Sequence, residues 1–192
     1  MQRLLSLILL VLPLVAQAGP RDTVAGLQLA LLEFAQSEVA GFEDRYTALR
    51  PVVESTHDLD YIARLTLGRY WRDLAAEQRT RFIDRFRQLA ISSYAARFPQ
   101  FAGEKFEFVS EAQQPRGVFM VRTRLHRPSG ESIDFDYLLR ETADGWRIVN
   151  IMVDGVSDLA LKRAEYAGVL RNGSADDLLQ LLDEQLTRLR SG

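Results

Sequence analysis

"VFMVRTRLHRPSGESIDFDYLLRET", Val118–Thr142, decides the fold. It reads as two runs of alternating side chains separated by a break holding Pro128 and Gly130. A period of two puts successive side chains on opposite faces of a strand. Folding the runs back through a loop at 127–131 places Arg124 opposite Asp134 and Arg122 opposite Asp136. Two opposite-charge pairs on one face favour this register. The other face then carries Phe119, Val121, Thr123 and Leu125 opposite Leu139, Tyr137, Phe135 and Ile133. A hairpin polar on one face and apolar on the other belongs to an antiparallel sheet covered by helices on one side.

Working outward, strands are expected at 104–112, 117–126, 132–142 and 145–154. The fourth, "WRIVNIMV", is apolar on both faces, so its pattern does not orient it. Before the strands the period is helical. Helices are expected at 22–38, from Gly41 onward, after Asp58, and at 75–98. Pro51 is expected to kink or end the second and Pro99 to close the fourth. Asp58 or Asp60 suits the start of the third and Gly68 its stop. After the strands come helices at 157–170 and 175–190, the latter preceded by Ser174 with Asp177 three residues on, which resembles a capping box. The fold class expected is α+β: N-terminal helices, a four-stranded, mainly antiparallel, curved sheet, and C-terminal helices.

The chain opens "MQRLLSLILLVLPLVAQAGP". Arg3, a dozen apolar residues and Ala16-Gln17-Ala18 have the pattern of a cleaved secretory signal peptide, residues 1–18. Residues 19–192 then form one domain. Among 192 residues there is no Cys, which removes disulfides, zinc–thiolate sites and thiol nucleophiles. An export signal without disulfides points to a bacterial periplasm. A net charge of −2 with interspersed signs argues against a nucleic-acid partner.

Catalytic chemistry is weakly represented. His57 and His126 are the only histidines, neither at metal or triad spacing from a carboxylate, and both read as solvated surface groups. Asp58-Leu59-Asp60 and Asp134-Phe135-Asp136 are explained by a helix cap and by paired strand charges. No metal and no cofactor is expected. What remains is an excess of bulky apolar side chains. A curved sheet closed by helices leaves a tapering space, and such apolar spaces hold apolar ligands. The faces that converge there nominate Ile62, Leu65, Tyr70, Phe82, Phe86, Leu89, Phe119, Val121, Phe135, Tyr137 and Ile148 as cavity lining.

At this point the chain resembles a family. "LRPVV" (49–53), "HDLDYIARLTLGRYW" (57–71), "AAEQRTRFIDRFRQLAISSYAARFPQFAGEKFEF" (75–108) and "GWRIVNIMVDGVS" (145–157) are similar, in order and spacing, to segments of the MlaC, or toluene-tolerance, family. His57 stands where that family usually has an aromatic residue. The resemblance implies a nuclear-transport-factor-like fold and a periplasmic phospholipid carrier that is monomeric and not an enzyme. It implies exchange of lipid between an outer-membrane lipoprotein–porin complex and an inner-membrane MCE-domain ABC transporter, in the service of outer-membrane lipid asymmetry. A hopanoid-binding branch, HpnM, shares the pattern, so a polycyclic lipid stays open as cargo. So do a periplasmic adaptor and an enzyme using the same cavity, for which Tyr61, Tyr70, Tyr94 and Tyr137 are the candidates and no base is evident. Physics favours the carrier. Exposing two chains of about 16 carbons to water costs roughly 25 kcal/mol at about 0.8 kcal/mol per methylene. A soluble shuttle must therefore enclose the tails.

Overall fold

The computed structural model describes residues 18–36, 41–97 and 103–191. Four helices come first: α1 (Pro20–Ala35), α2 (Phe42–Thr56), α3 (Leu59–Leu67) and α4 (Ala76–Arg97). Then follow β1 (Lys105–Gln114), β2 (Val118–His126), β3 (Ser132–Thr142), β4 (Gly145–Val153) and the two-residue β5 (Val156–Ser157). The chain closes with α5 (Asp158–Asn172) and α6 (Ala175–Ser191). The sheet is an antiparallel meander in the order β1-β2-β3-β4-β5. β5 adds a short fifth strand to the four expected.

The β2–β3 register is the one read from the hairpin. Phe119 pairs with Leu139, Val121 with Tyr137, Thr123 with Phe135 and Leu125 with Ile133. Arg124 Nε lies 2.6 Å from Asp134 Oδ1, and Arg122 Nε 3.3 Å from Asp136 Oδ1. β4 behaves differently. A bulge shifts its pairing between Leu138 and Leu139, leaving Val149 as the extra residue between Ile148 and Asn150. The strand also meets α1, α2, α3 and α5, so it is covered on both faces. Its two-sided apolar pattern has that cause.

Pro51 does not end α2, which continues to Thr56. The start of α3 is capped by Asp58, whose Oδ1 accepts from the Tyr61 amide at 3.1 Å. Ser157 caps α5 through the Ala160 amide at 3.1 Å. The capping box at α6 is present: Ser174 N donates to Asp177 Oδ2 at 2.7 Å and Asp177 N to Ser174 Oγ at 3.2 Å. Pro99 and residues 1–17 of the expected 1–18 signal peptide lie outside the described residues. No described helix is long and apolar enough to cross a membrane.

Two cores result. One is helical: Phe82, Phe86 and Leu89 of α4 pack with Ala63 and Leu67 of α3, Tyr166 of α5 and Leu178, Leu182 and Leu186 of α6. The other joins α1 and α2 to the sheet through Val24, Leu27, Leu31, Leu49, Val121, Tyr137, Leu139 and Ile148. A small third cluster, Val53, Leu59 and Ile91, lies where α2, α3 and α4 meet.

Gly68, which ends α3, sits at φ 54, ψ −120, where a side chain is strained. A Cβ there also stands 3.0 Å from Nη2 of Arg163. The guanidinium can shift; the backbone cannot. Gly68→Ala is expected to lower stability by about 1–3 kcal/mol, a fall in Tm of several degrees by thermal melting. An unchanged Tm would show that this turn relaxes freely.

Candidate functional site

A cavity of about 390 Å³ lies between the inner sheet face and α1, α3, α4 and the start of α5, with His57, the residue after α2, in its wall. Leu31, Leu59 and Phe86 reach it, one from each of the three clusters. The sheet supplies Phe106, Leu125, Ile133, Phe135, Tyr137, Ile148, Ile151 and Val153, and the helices add Ile62, Ala90, Tyr94 and Leu159. Phe135 is half-buried, with its ring 5.9 Å from Phe106 and stacked on Tyr137 at 6.1 Å.

Of the eleven side chains nominated from the sequence, Ile62, Phe86, Phe135, Tyr137 and Ile148 face this cavity. The other six are elsewhere, each for a packing reason. Phe82 and Leu89 turn toward α6, because that helix covers this side of α4. Leu65 faces a separate groove with Tyr61, Val118 and Leu138. Tyr70 lies in the 3-10 turn after α3, its hydroxyl accepting from Arg69 Nη2 at 3.0 Å. Phe119 rests edge-on against Trp146 at 5.1 Å. Val121 is sealed beneath α1 with no exposure.

The hairpin register already placed Leu125 and Ile133 on the face of Phe135, so those two were within reach of the sequence. His57 was not. It is buried, 7% exposed, whereas His126 is on the surface as expected, with Nε2 2.7 Å from Glu107 Oε2. His57 lies where α2 meets β4: the next amide, Asp58 N, donates to Ile148 O at 3.0 Å. The bonds fix its tautomer. A carbonyl only accepts, so Nδ1 carries the proton that meets Val53 O at 3.1 Å. Thr56 Oγ1 donates to Val52 O at 2.7 Å and so accepts from the same Nδ1–H at 2.9 Å. Nε2 is then bare and accepts from the Tyr94 hydroxyl at 3.0 Å. Burial lowers the His57 pKa to about 4, against a smaller opposing effect of the Val53 carbonyl. Burial likewise raises the Tyr94 phenol. It pushes Tyr137 up to about 12, opposed by its bond from Gln28 Nε2 at 3.3 Å. The wall thus presents neutral, internally bonded polar groups.

Among the described residues, charge reaches the cavity only through Arg97, Arg127, Asp158 and Lys162, from the end of α4, the β2–β3 loop and the first turns of α5. No His, Cys, Asp and Glu cluster suited to a metal occurs among the described residues.

Fold and cavity together define a small α+β protein built around an apolar, ligand-sized space. The sequence profile of the MlaC protein family matches residues 25–184. The chain belongs to that family. Over 135 residues it is 22% identical to the intermembrane phospholipid transport system binding protein MlaC of Haemophilus influenzae, a match covering 68% of this chain and 63% of that protein. The chain therefore spans less than two thirds of that relative's length. A solved structure of a phospholipid-binding protein from Ralstonia solanacearum, in complex with a phospholipid, superposes with a TM-score of 0.80 at 20% identity. The superposition covers 90% of this chain and 99% of that one, and it shows a shared fold.

Proposed function

We propose that this protein is a periplasmic phospholipid carrier. It holds the acyl chains in the cavity and passes the lipid between an outer-membrane lipoprotein–porin complex and an inner-membrane MCE-domain ABC transporter. The observation that carries the reading is the cavity: its wall is mostly aliphatic and aromatic, and the buried His57, Tyr94 and Tyr137 on it are neutral and hydrogen-bonded, the charges coming only from the end of α4, the β2–β3 loop and the start of α5 among the described residues. Such a wall suits hydrocarbon, since its buried polar groups are already satisfied by protein partners. The relatives named for phospholipid binding and transport support the same cargo. Catalysis fits less well. Among the described residues the cavity's histidine, His57, is held by a carbonyl and a phenol rather than by a carboxylate, which does not make it a general base.

The test is organic extraction of purified protein followed by lipid mass spectrometry. Near-stoichiometric phospholipid is expected. A hopanoid in its place would move the assignment to the HpnM branch, and the absence of any lipid would defeat the carrier. The periplasmic location has its own test. The mature N-terminus is expected at Gly19, after the Ala16-Gln17-Ala18 site. Intact mass of periplasmic material reads it, and a species retaining Met1 would contradict an exported, soluble carrier.

A further inference from the structure

We infer that the charged rim of the cavity is a phosphodiester site, with Arg97 and Lys162 as the direct ligands of a lipid headgroup. This rests on the carrier reading and adds to it what the protein recognises besides hydrocarbon. Of the rim charges, Arg127 is already held by Glu131 at 2.7 Å. Lys162 is only loosely tied: its Nζ stands 3.7 Å from Asp158 Oδ1, beyond hydrogen-bond distance. Its side chain lines the cavity and is 20% exposed, as suits an apolar stem on apolar surface with a charged head that reaches water. Arg97, the last residue of α4, forms no ion pair among the described residues.

A guanidinium without an ion pair among the described residues and a weakly engaged ammonium, both lining one apolar space, suit a phosphate with hydrocarbon attached. The neighbouring backbone does not compete for the anion. The Leu159 and Ala160 amides at the start of α5 are taken by Asn150 Oδ1 at 3.3 Å and Ser157 Oγ at 3.1 Å. Recognition therefore falls to the side chains. Asp158, beside Lys162, repels further negative charge, which favours a singly charged phosphodiester over a phosphomonoester.

The experiment uses delipidated full-length mature protein and phosphatidylcholine vesicles. These contain equal amounts of deuterated phosphatidylglycerol and diacylglycerol with the same acyl chains. Protein-bound lipid is counted by mass spectrometry. The unaltered protein is expected to load phosphatidylglycerol over diacylglycerol by about tenfold or more, the worth of one charged hydrogen bond. In Arg97→Gln/Lys162→Gln the preference should shrink to about twofold, read as the ratio of the two lipids on folded protein. Equal loading of the two lipids by the unaltered protein overturns the headgroup site but leaves the carrier. Absence of both overturns the carrier itself. A double variant that keeps the preference, or loses both lipids together, also removes the assignment. Inorganic phosphate at millimolar concentration should leave the ratio unchanged. If it abolishes the preference, the site belongs to free phosphate and the headgroup assignment is wrong.

Discussion

Phe135→Asp is expected to yield a folded, soluble protein whose co-purifying lipid has fallen more than about tenfold. Phe135 sits mid-strand between Thr123 and Val153, and its backbone pairing does not depend on the ring. The ring contacts Phe106 and Tyr137 and otherwise faces the cavity. Without a ligand, water entering that space solvates a new carboxylate. With acyl chains in place the carboxylate has to be desolvated, at several kcal/mol for an isolated charge. The penalty therefore falls on the loaded state.

Phe82 is the control. It has no exposure and is held by Phe86 at 6.1 Å and Tyr166 at 5.8 Å. Phe82→Asp should fail to fold. Phe82→Ala should lose about 3–5 kcal/mol of stability while keeping its lipid in proportion to folded protein. Thermal unfolding and lipid content on the same samples decide. If Phe135→Asp behaves like Phe82→Asp, the space beside Phe135 is closed to water and the cavity assignment fails there. If it folds and keeps full lipid, Phe135 does not meet the cargo.

The contrast between these two phenylalanines marks how far the sequence could be read. Strand positions were legible because a period of two leaves only two faces, and the Arg124–Asp134 and Arg122–Asp136 pairs marked which one is wet. The helix starts after Asp58 and Ser174 were legible because such side chains satisfy a specific orphan amide, though Asp60 was an equal candidate for the first. α4 was harder. Its apolar surface wraps more than half-way round, with Phe82 and Leu89 turned to α6 and Tyr94 to the cavity. Periodicity states that such a face is buried and not by what. Only the tertiary placement of α6, itself a plain amphipathic helix, divides core from cavity. β4 gave less still, since Val149 in the bulge breaks the alternation that would have oriented Ile148 and Ile151.

His57 was the least legible residue, and its burial has a measurable consequence in the pH dependence of stability. In the native protein the ring is neutral and its pKa is lowered to about 4, from 6.5 when exposed, because burial disfavours the imidazolium. Protonation also puts a proton on Nε2, where the Tyr94 hydroxyl now donates. The unfolded chain takes up that proton as pH falls through 6.5, while the folded chain resists until about 4. Stability from this group is thus complete above pH 6.5, declines between 6.5 and 4, and levels off below. The drop over that window is about 3 kcal/mol, at about 1.4 kcal/mol per pKa unit. Asp134 and Asp177 are held below the usual carboxylate range, by Arg124 and by Ser174, and lose their contributions only at lower pH. The comparison is His57→Phe/Tyr94→Phe, which removes donor and acceptor together and leaves neither orphaned. Urea unfolding at pH 7, 5.5 and 4 should show the unaltered protein losing about 3 kcal/mol more than the double variant. Parallel pH profiles would mean that His57 is hydrated in the native state. In that case water reaches the wall between α2 and β4, and the cavity is wet where the carrier needs it dry.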